Sequence, residues 1–84
     1  LKLNAFSAFP NPTPGQVTVR FTSAPVATVV SLFDLNGRQL FREELNAFSG
    51  TYEQQFDLSA YAKGAVLVVV QQGEKAFSEQ IVVN

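Results

Sequence analysis

Most of the residue types that enzymes use for chemistry are missing from this chain. Its 84 residues include no His and no Cys, which removes the commonest general base, the thiol nucleophile and the commonest ligands of transition metals. Ser and Thr are plentiful, but without His they cannot form a catalytic triad. The five glycines stand singly, so there is no glycine-rich phosphate loop. We therefore expect no catalysis, no cofactor and no bound metal.

Two acidic motifs have the spacing of functional sites, and each has a simpler interpretation. Glu43-Glu44 is the only adjacent carboxylate pair. On a strand its two side chains would point to opposite faces, so they cannot act as an acid–base dyad. Asp34-x-Asn36-Gly37 has the spacing that begins a calcium loop, but the remaining ligands and the distal Glu are absent. We expect surface carboxylates at the first motif and a plain turn at the second.

Composition and charge narrow the class of protein. Six basic and seven acidic residues are spread without clustering, which argues against nucleic acid as a partner. The longest apolar run, Ala65 to Val70, is too short for a membrane-spanning helix and suits a buried strand. An apolar fraction of 46% in 84 residues predicts one domain with a true core. Since the chain begins at Leu1 without Met, we expect it to be a piece of a longer protein.

Alternation of apolar and polar residues with period two predicts strands along the whole chain. In QVTVRFT, for example, Val17, Val19 and Phe21 share one face. RQLFREEL is also compatible with a short helix, but a tight turn at Asn36-Gly37 precedes it and favours a strand. The seven predicted strands are a segment ending near Phe9, QVTVRFT, ATVVSLFDL, RQLFREEL, TYEQQFDLS, AVLVVVQQ and KAFSEQIVVN. This pattern predicts an antiparallel β-sandwich, with a small closed barrel as the alternative.

Four further segments are expected to separate these strands. Ser23 to Pro25 and NAFSG, residues 46–50, are expected to end the strands before them. SAYAKG, residues 59–64, is expected to form a turn of 3₁₀ helix closed by Gly64. QGEK, residues 72–75, is expected to close the last hairpin. Each of these segments is rich in the small and polar residues that turns prefer.

Three prolines and one glycine stiffen the segment FPNPTPG, residues 9–15, which we call the elbow. Pro10, Pro12 and Pro14 have no amide donor, so the elbow cannot be part of a central strand. Gly15 permits a positive φ and a reversal of the chain. We expect a rigid elbow that sets the direction in which the next strand begins.

Five aromatic residues near predicted loops have two interpretations. Carbohydrate-binding sandwiches often place rings near their loops, so these residues would suit a binding face. Alternatively, they fill the two ends of a small core. The five residues are Phe6, Phe9, Phe48, Tyr52 and Tyr61.

The chain ends in the apolar segment Ile81-Val82-Val83, followed only by Asn84. Terminal residues fray unless a sheet holds them. This segment therefore either completes the sandwich or is available to pair with the sheet edge of a partner, and the two roles do not exclude one another.

Three motifs in order, with the terminal IVVN, resemble a known family. The motifs are FPNPTPG (9–15), SLFDLNGRQL (31–40) and FDLSAYAKGAVLVVVQQG (56–73). They resemble the C-terminal sorting domains of proteins exported by the type IX secretion system, or Por secretion system, of Bacteroidetes. That family has a Pro-Asn-Pro elbow closing in Gly, an apolar strand running into Asp-x-x-Gly-Lys/Arg, and a Leu-Ser-x-Leu-x-x-Gly turn. The chain departs from it at Tyr61, at Ala65-Val66-Leu67, and at Gln80 and Asn84, where basic residues are common.

The resemblance implies a fold, a role and a set of partners. The fold is an immunoglobulin-like antiparallel β-sandwich of about seven strands, a single C-terminal sorting domain over residues 1–84 of a longer secreted protein. Its role is a non-catalytic signal that directs a cargo through the periplasm and the type IX translocon to the outer membrane, cell surface or medium. An outer-membrane shuttle barrel and a sortase, which in many members cleaves the domain and anchors the cargo, are the implied partners. An exposed terminal strand would also allow a strand-swapped dimer.

The resemblance also implies which residues are recognised, in the elbow, the middle turn, the third turn and the final hairpin arm. These residues are Pro10, Asn11, Pro12, Gly15, Asp34, Gly37, Arg38, Gly64, Lys75, Gln80, Ile81, Val82, Val83 and Asn84. Two other functions stay open at this point. One is an immunoglobulin-like adhesion or carbohydrate-binding module of a surface protein, and the other is a spacer domain within a larger enzyme.

Overall fold

The protein consists of five strands in the residues that its structure describes. The computed structural model describes residues 3–59 and 64–84, without the side chains of residues 3–5, 23–25, 47 and 48. The strands are β1 (Leu3–Phe9), β2 (Gln16–Asp34), β3 (Gln39–Asp57), β4 (Gly64–Gln72) and β5 (Lys75–Val83). Within the described ranges there is no helix.

Two of the five strands are long and contribute to both layers of a sandwich. Residues 16–23 of β2 lie between β1 and residues 50–57 of β3. Residues 26–34 of β2 lie between residues 39–48 of β3 and β4, and β4 in turn pairs with β5. All of these pairings are antiparallel. The predicted antiparallel sandwich is therefore confirmed, with seven strand segments in sheets of three and four.

Two predicted breaks between strands are wrong. The chain remains a strand through Ser23–Pro25 of β2 and through residues 46–50 of β3. Instead of ending, the two strands shift register opposite one another, between the pairs Ser23↔Gly50 and Val26↔Phe48. Such irregularities bend a strand and increase its twist. Both strands can therefore pass from one sheet to the other while they stay paired, and the turn-forming residues mark a bend.

The core lies between the two sheets, on the faces that alternation predicts. Val17, Val19 and Phe21 are buried on the inner face of the three-stranded sheet. The four-stranded sheet contributes inner-face residues that are at most 4% exposed, namely Val30, Leu32, Val66, Val68, Val70, Ile81 and Val83. As predicted, β4 is a central strand, and its register with β5 runs without interruption from Gly64↔Val83 to Gln72↔Lys75.

The hairpins confirm two of the predicted turns. Residues 35–38 join β2 to β3, with the turn itself at 35–36, and residues 73–74 join β4 to β5. The first hairpin is wider than a two-residue Asn-Gly turn, because the Gly37 amide donates to the Asp34 carbonyl and Gly37 follows the turn with φ +85°. This is the geometry of a turn followed by a glycine in the left-handed region. The predicted 3₁₀ turn in SAYAKG falls on residues 60–63, which lie outside the described residues.

Candidate functional site

The elbow lies on the surface but is anchored by one buried side chain. Pro10, Asn11, Pro12 and Pro14 are exposed, whereas Thr13 between them is fully buried. The Thr13 hydroxyl accepts a hydrogen bond from the Gly15 amide, at 3.1 Å, and donates one to the Gln16 carbonyl. The Phe9–Pro10 and Asn11–Pro12 peptide bonds are both cis. Thr13 thus fixes the end of the elbow from within.

The elbow is hydrogen-bonded to the last residues of the chain. The Asn11 side chain donates from Nδ2 to the Gln80 carbonyl (3.0 Å) and accepts at Oδ1 from the Val82 amide (2.9 Å). Two residues further on, the Thr13 amide donates to the Val82 carbonyl at 2.8 Å. The Thr13 carbonyl accepts from the Asn84 amide, also at 2.8 Å. Thr13 and Val83 form a parallel bridge. The elbow therefore acts as a short additional strand beside β5.

This pairing satisfies one stretch of the outer edge of β5, the edge that faces away from β4. Main-chain groups of alternate residues point to the same side of a strand. The four groups that the elbow binds are the Gln80 carbonyl, the Val82 amide and carbonyl, and the Asn84 amide. Unpaired sheet edges invite pairing with other chains. Along this stretch the elbow closes the edge.

Gly15 joins the elbow to the end of β3, for a reason other than the one predicted. Its backbone is not in the left-handed region, unlike that of Gly37, Gly50 and Gly64. Instead, a Cβ at Gly15 would lie 3.1 Å from the Cβ of Ser59, which is tighter than ordinary contact, and the Gly15 carbonyl accepts from the Leu58 amide at 2.7 Å. Glycine is needed here for close approach, so the predicted positive φ is wrong.

The middle turn is held together by Asp34. One carboxylate oxygen accepts from the main-chain amides of Asn36 and Arg38, each at 2.9 Å. The other lies 3.2 Å from the Arg38 guanidinium Nε. The Asp34 carboxylate is thus occupied within its own turn, as expected of a plain turn. In the described residues, no group of three or more acidic residues could hold a metal ion.

Most of the sequence-predicted recognition residues lie at one end of the sandwich. Asp34 pairs with Val66 near the start of β4, and Gly64 pairs with Val83 at the end of β5. The middle turn, the start of β4, the chain end and the elbow are therefore neighbours around this end. Lys75 is exposed and lies at the opposite end of β5, across from Gln72, so the structure separates it from the others.

Within the chain end, the predicted residues have two different roles. Ile81 and Val83 point inward and belong to the core, at 0% and 4% exposure. Gln80, Val82 and Asn84 point outward, and Val82 is 44% exposed. Only the outward residues present side chains at the surface.

The aromatic residues that the structure describes do not form an exposed platform. Tyr52 is buried, stacks on Phe21 with ring centroids 4.9 Å apart, and donates its hydroxyl to Glu43 Oε1 at 3.1 Å. Phe6 is half-buried against the core, and Phe9 is 44% exposed. Tyr61 and the side chain of Phe48 lie outside the description. Tyr52 and Phe6 therefore fill the core, as the second interpretation predicted.

The adjacent carboxylates of β3 point to opposite faces, as predicted. Glu43 points inward to the Tyr52 hydroxyl, and Glu44 forms an exposed ion pair with Arg42. Burial, then the charge of Glu43 and then the hydrogen bond to it raise the pKa of the Tyr52 phenol above its ordinary value. The two carboxylates have separate structural partners and do not form a dyad.

Sequence reasoning missed two parts of this site, the buried role of Thr13 and the pairing of Asn11 with β5. The signal for Thr13 was local, since a hydroxyl two residues before a glycine commonly accepts its amide. The pairing of Asn11 has no local signal, because its partners lie 69 and 71 residues away.

The chain matches a known protein family. The family model of the secretion system C-terminal sorting domain matches residues 7–84, which include the elbow, both later motifs and the chain end. No curated protein matches the chain. In the described residues no helix is long and apolar enough to cross a membrane. The matched family is not an enzyme family. The chain therefore belongs to the family of C-terminal sorting domains, which mark proteins for export across the outer membrane to the cell surface or medium by the type IX secretion system.

Proposed function

We propose that residues 1–84 are a single C-terminal domain of a longer secreted protein and act as its folded sorting signal. The translocon exports the cargo, an outer-membrane shuttle barrel receives the domain, and a sortase removes it and anchors the cargo at the cell surface. The match to the sorting-domain family supports this sequence of partners. Mass spectrometry of an exported passenger tests the last step. A passenger shorter by the mass of the domain is expected, and a full-length passenger on the cell surface would contradict sortase cleavage.

We further propose that the elbow and the chain end are recognised as one surface. The observation that carries this proposal is the Asn11 side chain, which binds the Gln80 carbonyl and the Val82 amide together. Because of these bonds, a protein that contacts Pro10 or Pro12 also meets the outward side chains of β5. A change in either segment would therefore alter the shape that the other presents.

The rigidity of the elbow suits this role. Each proline fixes its own φ and so reduces the number of conformations that the free chain can adopt. A surface that is already ordered loses less entropy when a partner binds. Pro10, Pro12 and Pro14 lie exposed around the Asn11 bonds, so the ordered surface is also accessible.

The proposed recognition residues fall into a primary set and a supporting set. The primary set consists of outward-facing residues of the elbow and chain end, namely Pro10, Asn11, Pro12, Gln80, Val82 and Asn84. The supporting set shapes this end of the sandwich and consists of Gly15, Asp34, Gly37, Arg38, Gly64, Ile81 and Val83. Lys75 lies at the other end of β5 and belongs to neither set.

An export assay tests the composite surface. Residues 1–84 are fused to a fluorescent passenger with a signal peptide and expressed in a host that has the type IX system. We expect export of the wild-type fusion and periplasmic retention of the Asn11→Asp variant, because a carboxylate cannot donate to the Gln80 carbonyl. Asn46→Asp, at an exposed position of β3, makes the same chemical change away from the surface and should be exported normally.

A deletion variant and a translocon mutant complete the assay. Removal of Gln80 to Asn84 should also retain the passenger in the periplasm, and a translocon mutant should retain every fusion. Export of a folded Asn11→Asp fusion at the wild-type level would refute the composite surface. Retention of the wild-type fusion in a competent host would refute the sorting function of this chain.

A further inference from the structure

The outer edge of β5 is closed by the elbow over only part of its length. The uninterrupted register with β4 means that main-chain groups alternate along β5 without a bulge. Since the Val82 amide and carbonyl face the elbow, those of Ser78 and Ala76 face the same way. The Gln80 amide does so as well, although the Gln80 carbonyl is already bound to Asn11.

These outward groups have no hydrogen-bond partner in residues 3–59 and 64–84. They are the amide and carbonyl of Ala76, the amide and carbonyl of Ser78, and the amide of Gln80. The elbow ends its pairing at the Gln80 carbonyl, so the open groups continue the same edge directly. They form an ordered row of donors and acceptors with the spacing of a strand.

The side chains along this row are accessible from outside. Ala76, Ser78 and Gln80 are exposed, uncharged and mostly small. Proteins commonly protect edges with charge, proline or a covering segment. Here the elbow, with its prolines, covers the edge beside Gln80 to Asn84. Lys75 places a charge at the other end, where β5 begins. Between these two protected stretches, the edge carries no proline, and its one charge, Glu79, is partly buried on the face opposite to Ser78 and Gln80.

We propose that an extended segment of the secretion machinery pairs with β5 from Ala76 to Gln80 and adds a strand to the four-stranded sheet. This inference rests on the proposed sorting function and specifies how the partner binds. The affinity comes from main-chain hydrogen bonds, and small side chains make the pairing tolerant of sequence. The elbow sets the register, because its bonds to Gln80 block any strand that slides toward the chain end. The partner thereby meets the elbow at the end of its own strand.

Proline at Ser78 tests this pairing with little effect on the fold. The Ser78 amide faces away from β4, so its loss leaves the internal ladder intact, and proline is tolerated at such edge positions. Ser78→Val is the matched control because it changes the side chain and keeps the amide. In the export assay we expect at least a tenfold loss of exported Ser78→Pro fusion and no loss for Ser78→Val. Thermal unfolding of the purified chains establishes that both variants fold.

Each outcome of the assay has one interpretation. Export of folded Ser78→Pro at the wild-type level overturns the edge pairing and leaves the sorting function intact. Retention of the wild-type fusion overturns both proposals. If Ser78→Pro does not fold, Ala76→Pro removes the neighbouring outward amide and replaces it in the test, with the same expected loss. A concentration-dependent dimer that Ser78→Pro abolishes, with export unchanged, would assign the edge to a second copy of the chain and overturn the machinery as its occupant.

Discussion

The elbow and the middle turn use the same chemistry over very different distances along the chain. In the middle turn, the Asp34 carboxylate binds main-chain amides two and four residues away. In the elbow, the Asn11 amide binds main-chain groups 69 and 71 residues away. Both arrangements satisfy backbone groups with a short polar side chain. Only the elbow connects the two ends of the chain.

This difference determines which parts of the chain must be folded before each segment has its final structure. The middle turn can form whenever its own five residues are present, because the hydrogen bonds that close it are all local. The elbow has its partners only when β5 is in place beside β4. A partner that binds the ordered elbow would therefore bind only chains in which the C-terminal strand is complete and folded. We expect the two segments to respond differently to mutation.

The largest expected effect is at Thr13. Thr13→Val keeps the shape of the buried side chain but leaves the Gly15 amide and the Gln16 carbonyl without their partner. Because the Gly15 amide is buried and the Gln16 carbonyl is partly buried, leaving both unsatisfied should lower the free energy of unfolding by about 3 kcal/mol. Urea denaturation measures the loss, and Thr51→Val at an exposed position of β3 is the matched control. A loss below about 0.5 kcal/mol would mean that the elbow does not depend on this hydroxyl.

The next effect is at Asn11 and extends to the chain end. Asn11→Asp should lower the free energy of unfolding by about 1–2 kcal/mol, since the bond to the Gln80 carbonyl is lost and the new carboxylate oxygen repels that carbonyl, which pushes the elbow away from β5. Hydrogen exchange should accelerate at the Val82 and Asn84 amides, both of which the elbow binds. Exchange at the Gly37 amide in the middle turn should not change. If the Val82 and Asn84 amides keep wild-type exchange rates, then the elbow does not hold the chain end, and the comparison fails.

Much of this fold could be predicted from sequence because its signals are local. Val17, Val19 and Phe21 alternate in sequence and are buried together in the structure. The hairpin after Asp34 follows from a turn-forming dipeptide and an aspartate that can accept local amides. Neither inference requires knowledge of which strands are neighbours.

The wrong predictions have a common physical cause. Residues 23–25 and 46–50 contain turn formers, and sequence alone does not show that the two stretches face each other across a paired bend. Gly15 also suits a positive φ, but the requirement at this position is close approach to Ser59. In each case the local preference is real, and a contact with a distant segment decides the conformation.

The candidate site divides in the same way. The elbow is recognisable from its prolines and the terminal strand from its apolar residues, and the sequence presents them as two separate recognition features. The two segments are joined by the Asn11 side chain. Its partners lie too far along the chain for a local sequence pattern to predict them. On the same edge as the elbow, the open part of β5 follows only from strand order and register.

A smaller effect is expected in the middle turn. Asp34→Ala removes the acceptor for the Asn36 and Arg38 amides and should lower the free energy of unfolding by about 1 kcal/mol. Asp34→Asn keeps the acceptor oxygen and loses mainly the ion pair with the exposed Arg38, so its loss should be within about 0.5 kcal/mol. Hydrogen exchange at Val82 should stay at the wild-type rate in both variants. Faster exchange there would show that the middle turn is coupled to the chain end.

A hydrogen bond of intermediate range, from Tyr52 to Glu43 nine residues away, makes a contribution to stability that changes only at high pH. Burial, the Glu43 charge and this bond raise the pKa of the Tyr52 phenol in the folded state, whereas the unfolded phenol ionises near its ordinary value of about 10. The protonated phenol therefore stabilises the fold fully below about pH 10, and this contribution falls as the pH rises toward the folded pKa. Tyr52→Phe has no such group. Between pH 8 and pH 11, urea denaturation should show wild type losing roughly 1 kcal/mol more than Tyr52→Phe. If the two proteins lose stability in parallel, the Tyr52 phenol has the same pKa in the folded and unfolded chains. The Tyr52–Glu43 bond would then, unlike the bonds of the elbow, add nothing that depends on folding.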